Sequence, residues 1–162
     1  MTTYTISKLR QTFIETHFLE WSLNKPGDFI PDKSLFENLC HPAELHYLAY
    51  IYNWDDGSLV LEWILESKLC TKSTANFLFW RAGPDYYLKC DLDDFNTCDS
   101  YNLDGFRVIR KVMEKYRLNN FSEYEIEFDP AGEIESILTK EPRWEIPEDM
   151  YSFIPGVNVE LE

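Results

Sequence analysis

A short run in the middle of the chain carries the first candidate chemistry. Asn53, Trp54, Asp55, Asp56 and Gly57 place two neighbouring carboxylates beside a tryptophan. Such residues suggest acid/base work or a metal site, but glycosidase carboxylates stand about 5–10 Å apart across a cleft, which adjacent positions do not indicate. Helix starts favour Asp as a cap, and Asn tolerates the left-handed turn at a helix end. The sequence therefore predicts a structural corner between two helices, with Asn53 left-handed and Asp55 or Asp56 capping the second helix.

The second candidate is the stretch from Asp91 to Gly105, DLDDFNTCDSYNLDG, which has the density of acids of a calcium loop. An EF-hand needs acids or amides at positions 1, 3 and 5, Gly at position 6 and Glu at position 12. Counted from Asp91, these last three positions hold Phe95, Asn96 and Asn102. The pattern predicts a solvated loop, and we expect neither a metal nor another cofactor.

Histidine and cysteine offer little for catalysis. His41 and His46 are five residues apart and do not share a helix face, and with Cys40 and Cys70 they match no zinc spacing. His17 lies on an apolar stripe and is predicted to be a core histidine. The signatures GxSxG, HExxH, Walker A and GxGxxG are absent. No catalytic residue is predicted, and an enzyme remains a third hypothesis that needs a cleft where acids converge with His46 or Cys70.

Acids interleaved with aromatic residues are the remaining candidate site. Aromatic side chains provide binding hot spots, and acids provide steering and register toward a basic protein. The alternative is a charged surface that only keeps the protein soluble. The predicted partner-binding residues are Asp91, Asp93, Asp94, Phe95, Asp99, Tyr101, Trp144, Glu145, Glu148 and Asp149, with Asp104 and Tyr151 in the same stretches.

The charge of the chain restricts its partners. The formal net charge is −14, and residues 123–162 alone hold 12 acids and 2 bases. Nucleic acids and anionic lipids need Lys and Arg to displace their counterions, so neither is an expected partner. Such a field attracts basic proteins and speeds their encounter. The oligomeric state is not indicated.

The length and the N-terminus indicate the broad class. A chain of 162 residues is expected to form a single domain, here 1–162, with a sizeable core. The start, MTTYTISKLRQTF, has no apolar signal region, and no apolar run is long enough to span a membrane. We therefore expect a cytoplasmic protein with reduced cysteines.

Helical periodicity dominates the first three quarters of the chain. It predicts an N-terminal helix over 8–23, with Leu9, Phe13, Ile14, His17 and Trp21 on one face. A helical core is predicted over 41–120. There the buried faces are predicted to carry Leu45, Leu48, Ala49 and Tyr52, then Val60, Trp63, Ile64 and Ser67, then Ala75, Leu78, Phe79 and Ala82, and last Phe106, Ile109, Met113 and Tyr116. Thr71 is predicted to cap the third of these helices.

The last forty residues change character. YEIEFDPAGEIESIL alternates apolar and polar residues around a DPAG turn, which predicts a β-hairpin, with a helix over 132–138 as an alternative. The proline-rich end, with Trp144, Tyr151 and Phe153, is predicted to lie as an ordered arm on the helices. The fold class is thus mainly α, about five helices with a small β-hairpin or extended arm over 121–162, the acidic end of the chain.

The central block, HPAELHYLAYIYNWDDGSLVLEWILESKLCTKSTANFLFWRAG over 41–83, resembles a bacterial family of domains of unknown function, DUF4274. The NWDDG corner, the helix that follows it and the ALLLFW-like helix at 75–82 carry the resemblance, and FDP at 128–130 and IPG at 154–156 resemble its downstream part. The resemblance implies a helical fold and small stand-alone bacterial proteins, some encoded near secreted toxins. It brings no catalytic residues.

These observations lead to ranked hypotheses. The first is an immunity protein that binds a cognate bacterial toxin, expected to be basic, and occludes its active site. The second is a non-enzymatic interaction or regulatory module for another basic protein. An unrecognised enzyme is the third.

Overall fold

The computed structural model describes residues 2–19, 30–98, 101 and 103–162. Its regular helices are α1 (Lys8–Ile14), α2 (Lys33–Phe36), α3 (Pro42–Ile51), α4 (Leu59–Glu66), α5 (Lys72–Arg81) and α6 (Leu103–Leu118). Two short strands, β1 (Thr3–Ile6) and β2 (Asn158–Leu161), stand at the two ends of the chain. The predicted mainly α fold is confirmed.

The central helices form the core because each buries one apolar face. α4 and α5 both pack on α6, and α5 also packs on α3. Leu48, Ile64, Leu78 and Ile109, one from each helix, are fully buried. Thr71 caps α5 as predicted, since its side chain accepts a hydrogen bond from the Thr74 N–H.

The N-terminal helix differs from the prediction. α1 ends at Ile14 and continues as a π-helix, Glu15–Leu19, and the predicted end of this helix, with Trp21, lies outside the described residues. Leu9 was predicted inward and is 78% exposed, whereas Gln11 is buried. The Gln11 amide donates to the Ile6 carbonyl at 2.8 Å, so a polar side chain occupies the inward face by satisfying the end of β1.

The predicted hairpin after Tyr124 is wrong. Pro130–Gly132 form a 3₁₀ turn, and residues 134–139 are irregular, which also excludes the helical alternative. Ile126 instead bridges Val157, and Phe128 bridges Ile154. Residues 121–162 thus form an extended segment, the C-terminal arm, whose partners are remote in sequence.

The two ends of the chain close on each other. β1 and β2 pair in parallel, with Thr3 opposite Asn158 and Ile6 opposite Leu161. Just before β2, the arm crosses its own earlier part at Gly156, where a Cβ would lie 2.4 Å from the Glu125 carbonyl oxygen. Only glycine permits this approach, and it lets the arm return to the N-terminal strand.

Candidate functional site

Residues 91–98 are here called the acidic loop. Some of its aspartate side chains accept hydrogen bonds from the backbone of the loop itself. Asp91 Oδ1 accepts a hydrogen bond from the Asp93 N–H at 2.9 Å. Asp94 Oδ1 accepts one from the Asn96 N–H at 2.9 Å and caps the 3₁₀ turn Phe95–Thr97. These are the local bonds that short Asp side chains make in turns. The side chains of Asp93 and Asp94 are nevertheless exposed, so both charges still face solvent.

Phe95 of the acidic loop packs on α6. Its ring lies 5.3 Å from that of Phe106, and the Arg110 guanidinium stands 4.2 Å from its centroid. Arg110 Nε also donates to the Leu92 carbonyl. The aromatic residue predicted as a binding hot spot therefore holds the loop on the helix, with 38% of its surface left exposed.

Of the other predicted residues after the acidic loop, the structure describes Tyr101 and Asp104. Tyr101 is 94% exposed. Asp99 lies outside the described residues. Asp104 begins α6, where an acid suits the positive end of the helix dipole, and it pairs with Arg107 at 3.2 Å.

In the arm, Trp144 is an anchor. Its indole N–H donates to the Tyr87 carbonyl at 3.0 Å, and its ring lies 6.2 Å from Phe79 of α5. The carbonyl of Met150 accepts from the side chains of both Asn76 and Trp80. These contacts confirm that the proline-rich end lies ordered on the helices. They also bury part of the tryptophan that was predicted to contact a partner.

The predicted acids of the arm divide into two kinds. Asp149 forms an ion pair with Lys72 at the start of α5. Glu145 and Glu148 are exposed, and among the described residues neither side chain makes a hydrogen bond or an ion pair. These two glutamates therefore present their charges to solvent.

Exposed apolar side chains accompany these glutamates. Tyr151 is 43% exposed and Phe153 54% exposed, and the Tyr151 ring packs 5.1 Å from that of Trp80. Leu138 is 79% exposed, and its N–H donates to Asp85 Oδ1 at 3.1 Å. The sequence analysis missed Phe153 and Leu138 as surface residues. The prolines that flank them were a usable signal, because an extended segment buries alternate side chains and exposes the others.

The loop and the arm are separate surfaces. Within residues 2–19, 30–98, 101 and 103–162, no hydrogen bond, ion pair or ring contact joins the acidic loop to Glu145, Glu148 or Asp149. The acidic loop lies against α6, whereas the arm runs along α5. The described residues of the predicted site therefore do not form one continuous surface.

A groove of about 450 Å³ is lined by the acidic loop, α4 and the outer face of α6. It carries bases as well as acids, and most are already paired. Lys111 contacts Glu66 at 2.5 Å, and Arg110 is held by the loop as described above. The residues that give it its mixed charge are Glu62, Asp93, Arg107, Arg110, Lys111, Glu114 and Arg117.

The NWDDG run is a structural corner, but its parts differ from the prediction. Asn53 is extended (φ −83°), not left-handed, and its side chain caps a 3₁₀ turn over Trp54–Asp56 by accepting from the Asp55 N–H. Gly57 is the residue with positive φ, at 86°. Neither aspartate caps α4, whose N-cap is Ser58. An extra turn therefore separates the two helices, and the capping residues shift with it.

His46 and Cys70, the two groups on which an enzymatic hypothesis rested, are engaged inside the fold. His46 Nδ1 lies 3.0 Å from Thr74 Oγ1, and burial lowers the pKa of His46 to about 4. The Cys70 thiol is fully buried, and burial raises its pKa to about 12. Both groups are therefore neutral near pH 7 and do not form a charged nucleophile–base pair.

The other two histidines are also structural. His41 Nδ1 accepts from the Ala43 N–H at 3.1 Å and caps α3, and its ring stacks on Tyr4 at 3.7 Å. His17, predicted as a core histidine, is half-buried with its ring against Phe13. Within the described part of the chain, no group of three His, Cys, Asp or Glu residues could hold a metal ion.

Residues 41–117 match the model of a family described as Domain of unknown function (DUF4274). This segment covers α3 to α6 and the NWDDG corner and leaves the C-terminal arm outside. No curated protein and no solved structure matches the chain. In the part of the chain that the structure describes, no helix is long and apolar enough to cross a bilayer.

Proposed function

For a chain whose residues 41–117 form a DUF4274 domain, we propose a cytoplasmic immunity protein that binds a basic bacterial toxin and occludes its active site. One observation supports this proposal above the others. The C-terminal arm concentrates acidic charge and exposed apolar side chains on one ordered segment, outside the helical domain that it covers.

The negative charge of the arm favours a positively charged partner. Residues 123–162 hold 12 acids and 2 bases, so most of the chain's net charge of −14 lies there. Glu145 and Glu148 project without partners among the described residues. Long-range attraction of this kind accelerates the encounter with a basic protein and repels acidic ones. A toxin that acts on nucleic acid needs a basic active site, so an acidic arm suits its occlusion.

Apolar side chains supply the short-range part of the binding energy. Tyr151 and Phe153 present rings beside the glutamates, and the Trp80 and Trp144 contacts hold the backbone beneath them. Interfaces rely on a few aromatic anchors surrounded by polar residues. A pre-ordered arm loses little conformational entropy on binding, which favours tight association.

Binding is better supported than catalysis by the groups described. Cys70 and His46 are buried and neutral near pH 7, and the carboxylates of the loop and arm lie on exposed surfaces where water competes with any substrate. We therefore propose that the protein acts without an active site of its own.

Affinity capture followed by a toxicity assay tests this function. The tagged full-length chain is expressed in its native host, co-purified proteins are identified by mass spectrometry, and each captured protein is expressed alone and with the chain. We expect a stoichiometric basic protein that stops growth and is neutralised by the wild-type chain. The variant Glu145→Lys/Glu148→Lys should neutralise it poorly, whereas the matched loop variant Asp93→Lys/Asp94→Lys should retain most activity.

The outcomes separate the hypotheses. A basic partner without toxicity would replace immunity with a regulatory role for the same surface. Equal loss in the arm and loop variants would show that charge acts globally, without a specific surface. Capture of an acidic partner, or of none, would contradict the proposal.

A further inference from the structure

A pocket of about 420 Å³ lies beside α2 and the C-terminal end of α4. Two of its lining residues are aromatic, and the centroid of the Phe36 ring lies 5.6 Å from that of Trp63, with an angle of 53° between the two planes. The volume falls in the range of small-ligand pockets, about 300–1,000 Å³. These two rings and the charged side chains around them, Lys33, Glu37, Glu66 and Lys68, are here called the aromatic pocket.

The interior of the aromatic pocket is apolar, whereas its charged residues face solvent. Phe36 is buried, and so are Leu39 and Leu45, which also line the pocket. The four charged side chains are all exposed. A side chain with an apolar stem and a charged end matches this arrangement, because the stem can cover apolar surface while the charge stays near water.

The chain's own Lys33 shows which sign of charge the two rings accept. Its ammonium nitrogen lies 4.6 Å from the centroid of the Trp63 ring and 5.0 Å from that of Phe36. Both distances are within the roughly 6 Å over which the face of an aromatic ring attracts a cation. Among the residues that the structure describes, no ion pair joins Lys33 to an acid, so the rings are the groups that hold its charge.

Negative charge at the aromatic pocket adds to its preference for a cation. Glu37 and Glu66 both line it, and α4 ends at Glu66, so the negative end of this helix dipole also lies at the pocket. Lys111 already contacts Glu66 at 2.5 Å. In the described part of the chain no base pairs with Glu37, so this carboxylate is the better acceptor for an added cation.

An arginine from another protein can replace Lys33 on the rings. Lys33 is exposed and belongs to a helix of four residues, and a lysine combines a flexible stem with a strongly hydrated ammonium. A guanidinium is planar and more weakly hydrated, and it stacks on aromatic faces. It also carries five N–H donors in a rigid fork, which can bond a carboxylate such as that of Glu37.

We propose that the aromatic pocket binds one arginine side chain of the protein's basic partner, which displaces Lys33 from the two rings. The stem of the arginine covers the buried leucines, its guanidinium stacks on Trp63, and Glu37 accepts its N–H groups. This inference deepens the proposed function and rests on it for the identity of the partner. The arm attracts the partner through long-range charge, and the pocket supplies an arginine anchor, a residue type enriched at binding hot spots.

Titration of the full-length, isotope-labelled chain with small probes, followed by NMR, tests the pocket directly. The probes are N-acetyl-arginine amide, N-acetyl-lysine amide and N-acetyl-citrulline amide, the last being a neutral analogue of arginine with nearly the same shape. We expect the arginine probe to shift the indole N–H resonance of Trp63 and to saturate at the lowest concentration. The Lys33 methylene protons beside the ammonium should lose their upfield ring-current shift, because the probe takes their place over the rings.

Matched variants separate ring stacking from simple charge. Lys33→Ala removes the internal competitor and should tighten binding of the arginine probe about threefold. Lys68→Ala removes the same charge from the same pocket, but among the described residues no ring contact involves Lys68, so it should change the affinity less than about twofold. Glu37→Gln should weaken binding about threefold by removing an exposed ion pair. All three positions are exposed, so these variants are expected to fold.

Trp63→Leu tests the ring itself and should weaken binding about fivefold or more. Trp63 is half-buried and packs on Phe36, so the amide spectrum of this variant is compared with that of the wild type first. If the fold is perturbed, the comparison of Lys33→Ala with Lys68→Ala decides the question without it.

Several results would overturn the proposal. These are equal binding of the citrulline probe, tighter binding of the lysine probe than of the arginine probe, equal effects of Lys33→Ala and Lys68→Ala, and no binding of any probe. The titration does not use the partner. Absence of probe binding with retained capture of a toxin would therefore reject the pocket alone, and probe binding without a toxin would reject the immunity function alone.

Discussion

The acidic loop and the C-terminal arm contain the same kinds of residues and use them differently. In the loop, Asp91 and Asp94 bond the backbone two residues further on, and Phe95 packs on α6. In the arm, Glu145 and Glu148 extend into solvent, while Trp144 holds the segment on α5. Acid-and-aromatic composition thus serves local folding in one region and leaves a free charged surface in the other.

Side-chain length explains the difference. Aspartate is short enough to accept a hydrogen bond from a nearby backbone N–H, so it initiates turns and caps helices. Glutamate has one more methylene and makes this local bond less readily, and Pro147 before Glu148 has no N–H to offer. When an acidic stretch is examined for binding, its glutamates are therefore better candidates than its turn-forming aspartates.

The largest expected effect is on stability, and it compares an aromatic residue of the arm with one that follows the loop. Trp144→Ala should lower the free energy of unfolding by about 2–3 kcal/mol, because it removes a packed indole and its hydrogen bond to Tyr87. Tyr101→Ala, at a side chain that is 94% exposed, should change it by less than about 0.5 kcal/mol. Urea unfolding followed by circular dichroism gives both values. Similar losses would mean that the arm is not held as described.

Acid should affect the arm more than the loop. His46 lies against Phe128 of the arm, with ring centroids 6.4 Å apart, and burial lowers its pKa to about 4. Because the folded pKa is below the unfolded value of about 6.5, its contribution to stability is complete above pH 6.5 and is lost as the pH falls toward 4. The slope is at most about 1.4 kcal/mol per pH unit.

This pH dependence is measured by urea unfolding at pH 7, 6 and 5, above the range where most carboxylates titrate. His46→Gln should flatten the profile. Some slope should remain from His41, whose pKa burial also lowers. A profile identical to that of the wild type would show that His46 does not carry the effect.

Charge reversal compares the regions in binding. With the partner identified by capture, Glu145→Lys/Glu148→Lys should reduce the association rate constant about tenfold at low salt and flatten its salt dependence. Asp93→Lys/Asp94→Lys should reduce the rate constant less, because that pair lies in the part of the chain with the less negative net charge. Stopped-flow association at several salt concentrations measures both. A larger effect from the loop pair would reverse the assignment of the binding surface.

The smallest expected effect is the loss of stability when the cap of a turn in the acidic loop is removed. Asp94→Ala should cost about 1 kcal/mol of stability by removing the cap of the turn Phe95–Thr97. Asp93→Ala, whose side chain caps nothing, should cost less than about 0.5 kcal/mol. Thermal unfolding distinguishes the two variants. Equal costs would indicate that charge, and not the cap, determines the stability of the loop.

Local sequence patterns were sufficient to predict the central helices and insufficient to predict which residues meet around the candidate site. The apolar spacing of Leu45, Leu48 and Ala49 predicts the buried face of α3, because a helix repeats every 3.6 residues. The hydrogen bond between Ser58 and Asp104 joins positions 46 residues apart in the chain. No periodicity relates such positions, so the sequence analysis treated the corner and the start of α6 as unrelated.

The sequence by itself determined the features that depend on residues close in the chain or on composition. These are the helices of the core, the cap at Thr71 and the acidic charge of the last forty residues. The tertiary structure alone decided which remote segments pair. β1 meets β2 across almost the whole chain, and Ile126 finds Val157 in place of a hairpin partner. The physical reason is that strand pairing is set by burial and hydrogen bonding between segments that are far apart in the sequence, which no local pattern relates.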